Sequence, residues 1–399
     1  MKKVLFVINT LGRAGAEVAL MDLLNALEQK EIEISLFVLT GQGEMVEKLP
    51  HDVKLLNKTY QKVPIHSPEG KKVLVKTCLK ALIKRGNIIR LCPYLFKNFL
   101  AMLKKGEILP DKLLWRVISD GADKFPTEYD LAVAYIEGGA TYYVADHIKA
   151  KKKVAFVHTD YGKAGYTRKL DKDCYLHYDR LFMISNETKE CFLKYYTEFE
   201  NKTEIFNNLL DKKRIFEMAD KGTGFQDEYE GQRILSLGRL VPIKEFEHSV
   251  KAMELLKSKG MSVRWYLLGE GEAREQLESL IEELGLQEDF LLPGAVENPY
   301  PYLKQADVYV HATGYEGKSI AIQEAQILGC PLLVSNCGGN REQVVHEWDG
   351  LICELNAEDI SQSVLQLLSD KDKAKEYSEH AMERHKDNQD EMQKLLTFL

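Results

Sequence analysis

Val4-Leu5-Phe6-Val7-Ile8-Asn9-Thr10-Leu11-Gly12-Arg13-Ala14-Gly15 opens the chain with an unbroken apolar run, a polar pair and a glycine-bearing turn. A short apolar run bounded by turn residues reads as a buried strand. Val18, Leu20, Met21, Leu23, Leu24 and Leu27 then fall on a helical stripe, and Ile32–Leu39 is a second apolar run. Strand, helix and strand in this order predict a parallel sheet. The same opening has the charge pattern of a weak signal peptide, but Asn9 and Thr10 end its apolar run too early.

Working outward, further strands are expected at Leu131–Tyr135, Val154–His158, Leu181–Ser185 and Glu204–Phe206. The alternation then restarts. Strands are expected at Ile234–Leu237, Arg264–Leu268, Phe290–Leu292, Val308–His311 and Leu332–Ser335. Helices are expected near Phe246–Lys259, Ala273–Leu284 and Ile320–Leu328. The reading is an α/β chain of two domains, residues 1–207 and 208–380. Residues 381–399 form a C-terminal helix whose return to the N-terminal domain is left open.

The chain has 399 residues, 45% of them hydrophobic and 29% charged, as in an ordinary globular protein. No apolar run reaches the roughly 18 residues that a membrane-crossing helix needs. The seven cysteines include no C-x-x-C pair, so reduced thiols in a cytoplasmic protein are expected rather than a disulfide framework or a zinc site. Net charge is −7, unevenly spread: residues 1–206 hold 33 Lys+Arg and 26 Asp+Glu. Residues 54–116 alone hold 15 basic and three acidic residues.

Residues 57–125 break the strand–helix alternation and read as an insertion of basic helices. Lys72, Lys76, Lys80 and Lys84 recur every four residues, which places them on one helix face. Val75, Leu79, Leu82 and Ile83 lie beside them. A second stretch sets Tyr94, Leu95, Phe96, Phe99, Leu100, Met102 and Leu103 beside Lys97, Lys104 and Lys105. This composition suits an anionic membrane surface, and equally a solvated face over an ordinary core. Nucleic acid is not expected, because the whole chain is acidic and carries no binding motif.

Three constellations carry chemistry. The Gly12–Gly15 turn aims backbone N–H groups and a helix's positive end at an anion. It is not the dinucleotide fingerprint, and the second strand ends in Leu39-Thr40-Gly41 without a ribose-binding acid, which disfavours a nicotinamide enzyme. Gly238-Arg239-Leu240-Val241-Pro242-Ile243-Lys244 sets two cations between a strand and a helix, suited to a diphosphate. Glu316-Gly317-Lys318-Ser319-Ile320-Ala321-Ile322-Gln323-Glu324 brings two carboxylates, suited to sugar hydroxyls, together with free N–H groups at a helix start.

With Leu268-Gly269-Glu270-Gly271, Leu292-Pro293-Gly294, Ala306-Asp307-Val308-Tyr309-Val310 and Gly338-Gly339…Glu342, these motifs resemble the donor domain of family 4 retaining glycosyltransferases. The Glu316-Gly317-Lys318-Ser319 form is similar to a bacterial subgroup that builds surface polysaccharides. The first half resembles the family less closely, through Gly12–Glu17 and Val157-His158.

The resemblance implies the GT-B fold, with two Rossmann-like domains facing across a cleft. It also implies transfer of a hexose-type sugar, with retention, from a nucleotide sugar (UDP by default) to a lipid-linked or polysaccharide acceptor. No metal or other cofactor is required. By the resemblance Arg239 and Lys244, with Gly238, bind the diphosphate, and Glu324 the ribose. Glu316 and the backbone of Gly317, Lys318, Ser319 and Ile320 hold the sugar and phosphates. Leu292–Val296, including Gly294 and Val296, line the base pocket. His158 lies by the donor sugar, and Gly12 and Gly15 close on the phosphates.

Glu137, Tyr161 and Arg168 are candidate acceptor contacts, with helix capping the alternative for Glu137 and a structural ring the alternative for His158. The expected setting is the cytoplasm, peripheral to the inner face of the cell membrane if the insertion binds lipid. A non-catalytic module that stabilises a partner transferase is the alternative function.

Overall fold

The computed structural model describes residues 1–28, 30–65, 67–106, 108–384 and 389–399, the last from the backbone alone at residue 389. Of the features expected above, Glu107 and residues 385–388 lie outside the described residues, as do the side chains of Arg85 and Lys105. The chain divides into two compact units, Met1–Leu209 with Asn388–Leu399, and Leu210–Asp387.

The first unit holds a seven-stranded parallel sheet. Its strands are β1 (Lys2–Ile8), β2 (Ile32–Val38), β3 (Lys54–Leu55), β4 (Glu128–Ala134), β5 (Lys149–Val157), β6 (Arg180–Met183) and β7 (Thr203–Ile205). Their order is β3-β2-β1-β4-β5-β6-β7. Val4 to Ile8 are at most 1% exposed, so β1 is covered on both faces. That is why its sequence is continuously apolar rather than alternating.

The second unit holds six parallel strands: β8 (Gln232–Leu237), β9 (Val263–Leu268), β10 (Phe290–Gly294), β11 (Val308–His311), β12 (Leu332–Ser335) and β13 (Leu351–Cys353). Their order is β10-β9-β8-β11-β12-β13. In both sheets the order reverses beside the unit's first strand, between β1 and β4 and between β8 and β11. Open α/β sheets bind ligands beyond the carboxyl ends of the strands at such a reversal.

The insertion is three helices, Pro68–Ile83, Asn87–Lys105 and Pro110–Gly121. Ser67 caps the first by accepting the Gly70 N–H at 3.0 Å, and Pro68 follows at a position that needs no N–H. Gly86 takes φ 68° at the corner into the second helix, the left-handed region that glycine enters without strain. Leu91, Ala81 and Val117 join the three helices, and the Tyr94 hydroxyl donates to the Leu170 carbonyl at 2.9 Å.

The expected four-lysine stripe is shorter in the structure. The first helix ends at Ile83, and Lys84 turns to pair with Asp123 at 2.8 Å, leaving Lys72, Lys76 and Lys80 exposed on the helix. The apolar residues divide as well. Tyr94 and Met102 are buried, whereas Phe96, Phe99, Leu100 and Leu103 face solvent.

The helix Gln389–Leu396 belongs to the first unit. Glu391 accepts the Asn207 backbone N–H at 3.0 Å, Lys394 donates to the Ile205 carbonyl at 2.8 Å, and the Phe398 ring packs edge-on to Phe182.

Candidate active site

In the second unit, the carboxyl ends of β8, β9 and β10 are laced together through backbone. Gly238 N–H donates to Leu268 O at 3.1 Å, Gly269 N–H to Gly294 O at 3.0 Å, and Leu240 N–H to Glu270 O at 2.9 Å. A Cβ on Gly269 would lie 1.8 Å from the Gly238 carbonyl oxygen, so only glycine lets these strand ends meet. Gly294 closes β10 in this shelf, and half-buried Val296 follows it.

Arg239 stands on this shelf at the end of β8, exposed and without an ion-pair partner among the described residues. Lys244 follows on a single 3-10 turn, Pro242–Lys244, which fixes its distance from Arg239.

Across the strand-order reversal, β11 ends at His311 and leads into Glu316. Lys244 Nζ lies 2.6 Å from Glu316 Oε2, and His311 Nε2 lies 2.8 Å from the same oxygen. His311 Nδ1 is 2.9 Å from the Tyr309 hydroxyl. Burial holds the His311 imidazole below its usual pKa, so the ring is neutral. A carboxylate can only accept, so Nε2 carries the ring proton and donates it, and Nδ1 accepts from Tyr309. Burial alone would raise the Glu316 pKa. The Lys244 charge and the His311 hydrogen bond outweigh it and bring the pKa down to about 2, so Glu316 is ionised at neutral pH.

Beyond Glu316 the helix Ile320–Ile327 begins, capped by Ser319, whose hydroxyl accepts the Ile322 N–H at 3.4 Å. The first turn of a helix has N–H groups with no partner inside the helix, and here they follow directly on Gly317 and half-buried Lys318. A Cβ on Gly339 would sit 2.2 Å from the Glu316 carbonyl oxygen and 2.4 Å from that of Gly317. The Gly338–Gly339 turn therefore buttresses this loop. Glu324, one turn into the helix and 7% exposed, accepts from the Tyr300 hydroxyl at 2.8 Å. The second unit thus brings Arg239, Lys244, Glu316, the Gly317–Ile320 backbone and Glu324 to one end of its sheet.

In the first unit, Gly12 lies in the turn after β1 and Gly15 opens the helix Gly15–Leu27, whose N-cap, Ala14, offers no side-chain acceptor. His158 follows β5. Its ring packs on Tyr135 and Phe156 and hydrogen-bonds the Tyr135 backbone, while Nε2 is buried without a hydrogen-bond partner among the described residues. Burial again lowers the pKa, which makes a neutral ring with an unfilled nitrogen.

Glu137, a candidate acceptor contact or helix cap, turns onto this segment and does not cap the helix Gly139–His147. Its carboxylate accepts the His158 backbone N–H and the Thr159 hydroxyl, both at 2.9 Å, and it is 3% exposed. Its own carbonyl accepts from Asn9, which in turn accepts the Ala140 N–H at 2.7 Å. Glu137 is a positioning group at the β1/β4 reversal.

Tyr161 also departs from expectation. It is fully buried, and its hydroxyl donates to Asp171, a carboxylate that also accepts from Tyr142 at 2.7 Å and Tyr196 at 3.0 Å. Burial raises the Asp171 pKa to about 6. Tyr161 is thus core, not a contact for an acceptor. Arg168 is on the surface, paired with Asp173 and Glu198, each at 2.8 Å.

Three residues of the site were given no role by the sequence reading: His311 and Tyr309, which it placed in a strand, and Tyr300. His158 was singled out by the resemblance at Val157-His158, whereas His311, which also closes an apolar strand, was given no role. Tyr300, in Pro299-Tyr300-Pro301, carries no comparable signal.

Residues 225–384, all within the second unit, match the family model described as "Glycosyl transferases group 1". Two curated relatives are similar over this region. One is the N-acetylgalactosamine-N,N'-diacetylbacillosaminyl-diphospho-undecaprenol 4-alpha-N-acetylgalactosaminyltransferase of Campylobacter jejuni, 30% identical over 187 residues, 46% of this chain and 49% of the relative. The other is the UDP-Gal:alpha-D-GlcNAc-diphosphoundecaprenol alpha-1,3-galactosyltransferase of Escherichia coli, 30% identical over 186 residues, 44% of this chain and 48% of the relative. The chain spans about half the length of these curated relatives.

Among solved structures, HepE of Anabaena in complex with UDP-glucose superposes with TM-score 0.68 at 15% identity, covering 100% of both chains. The two parallel sheets and this likeness define the GT-B fold of two Rossmann-like domains. Among the described residues no helix is long and apolar enough to cross a membrane.

Proposed function

We propose that the protein is a retaining glycosyltransferase. It moves a hexose-type sugar from a UDP-sugar to a lipid-linked or polysaccharide acceptor in the synthesis of bacterial surface glycan, at the cytoplasmic side. The observation that carries this reading is the group at the β8/β11 reversal. There Arg239, without an ion-pair partner among the described residues, and a Lys244 held by an ionised Glu316 stand beside the first turn of the helix Ile320–Ile327.

In the proposed reaction the bond from the sugar's anomeric carbon to the diphosphate breaks, and a bond to an acceptor oxygen forms on the same face. The acceptor proton leaves with the diphosphate, whose growing charge Arg239 and Lys244 neutralise. Fixed cations aimed at developing charge lower the barrier because they need no reorganisation. These two side chains provide that charge without a cofactor. Glu324, set by Tyr300, takes the ribose. Glu316 and the Gly317–Ile320 backbone take the sugar and phosphates, and Gly294 and Val296 border the base.

The two relatives' names support a diphospho-lipid-linked acceptor, and that of the Escherichia coli relative a UDP-sugar. The test is incubation with radiolabelled UDP-sugars and a polyprenyl-diphosphate-linked saccharide. Labelled lipid product with α-configuration retained is the expected result. Binding of the donor with no hydrolysis or transfer for any sugar would make the protein a non-catalytic module.

A further inference from the structure

We propose that the first two insertion helices, Pro68–Ile83 and Asn87–Lys105, form a face that lies on an anionic lipid bilayer. Ten of the eighteen exposed large apolar side chains among the described residues fall between positions 75 and 108. Scattered exposed apolar groups are normal on a soluble surface, but such a concentration marks a contact surface.

The second helix shows the arrangement most clearly. At 100° per residue, Ile88, Phe99, Leu103, Phe96, Ile89 and Leu100 fall in one arc of about 120°. All six are exposed, Ile89 by 81% and Phe96 by 63%. Arg90, Lys97 and Lys104, seven residues apart, line one edge of that arc and are exposed. Leu91, Tyr94 and Met102, on the opposite side, are buried against the rest of the unit. The helix therefore already has its protein-facing side filled, and the apolar arc is an additional face.

Charge decides what covers it. Residues 70–106 contain ten Lys+Arg and no Asp or Glu. On the first helix Lys72, Lys76 and Lys80 project beside exposed Val75 and Leu79. A second copy of the chain would bring the same positive face against itself. Lipid phosphates are the complementary surface: long basic side chains reach the headgroups while Ile and Phe side chains enter the acyl boundary. A helix lying in the membrane plane needs no apolar span of crossing length. The face does not depend on the transferase reading, since lipid binding is measured without a nucleotide sugar.

The experiment is co-sedimentation of the whole protein with vesicles of phosphatidylcholine alone, or of phosphatidylcholine and phosphatidylglycerol in equal parts. The wild type should sediment with the anionic vesicles only and release as salt rises. Lys72→Glu/Lys76→Glu/Lys80→Glu should lower partitioning on the order of 100-fold, given the contribution of each basic residue near an anionic surface. Ile89→Ser/Phe96→Ser/Leu100→Ser should abolish sedimentation without lowering the melting temperature, because these side chains are exposed. Three results would overturn the proposal: wild type left in the supernatant at low salt, unimpaired binding by the serine variant, or a lipid-free dimer that the serine variant dissolves.

Discussion

Lys244 and Glu316, 72 residues apart in the chain, meet at 2.6 Å at the carboxyl end of the second sheet. Each comes from the loop after one of the two strands that flank the strand-order reversal, β8 and β11. The pair is mostly buried, at 17% and 18% side-chain exposure, so removing either member would leave the other buried without its partner. Arg239, five residues before Lys244, has no such partner among the described residues.

That difference separates two substitutions which sequence alone treats alike. Arg239→Ala should leave the melting temperature at the wild-type value. Lys244→Ala should lower stability by about 1–3 kcal/mol, because it strands a buried carboxylate. Both should cut transfer, each by roughly 10-fold to 100-fold, as expected for loss of a charge-assisted contact. Thermal melts beside steady-state assays check both. Equal melting behaviour would contradict the pairing, and near-normal turnover in both variants would contradict the donor site.

The pair also sets a pH signature. The Glu316 pKa is depressed in the folded protein to about 2, from 4.5. Its contribution to stability is therefore fully present above pH 4.5 and lost as the pH falls toward about 2. Glu316→Gln should be less stable than wild type at pH 6, by about 3 kcal/mol at most, and the gap should close in acid. Denaturant melts of the two proteins at several pH values give this difference directly. A gap that does not narrow would mean that Glu316 is not held ionised by Lys244.

His311 should act by positioning. Replacing it with Ala removes the Nε2–H donor that, with Lys244, fixes the Glu316 carboxylate. The expected result is a fall in kcat of about tenfold, the cost of one hydrogen bond to a charged group, with little change in donor KM. His311→Gln, which keeps an N–H donor, should recover part of kcat. A loss confined to KM, with no recovery by Gln, would make His311 merely structural.

Tyr161 and Glu137 should part company in the same assay. Tyr161→Phe strands part of the Asp171 hydrogen-bonding capacity and should cost about 1–3 kcal/mol of stability while sparing kcat/KM measured on folded protein. Glu137→Ala frees the His158 backbone and should lower kcat. A selective rise in acceptor KM for the Tyr161 variant would restore the role expected from its place after His158.

The architecture was legible because parallel strands covered on both faces are continuous apolar runs. Val308–His311 and Leu332–Ser335 agree with the structure residue for residue. Lys54–Leu55 and Leu351–Cys353 are too short to carry a periodic signal, and neither strand was anticipated. That these cations and carboxylates stand at strand ends was legible from their place in the sequence. What they touch was not, since the approach of Lys244 to Glu316 depends on which strands are neighbours. Tyr161 was misplaced for a related reason. Its segment is rich in polar residues, and only the fold shows that three tyrosine hydroxyls converge on Asp171.

On the proposed reading, the β8/β11 reversal holds the diphosphate of a UDP-sugar between Arg239 and Lys244. Calorimetric titration of UDP into wild type and into Arg239→Ala/Lys244→Ala tests it most directly. Binding to the wild type should be saturable at one site, and the double variant should bind about 100-fold or more weakly, the loss expected when two charge-assisted contacts are removed. Equal affinity in the two proteins, or no binding of UDP to the wild type, would contradict the claim.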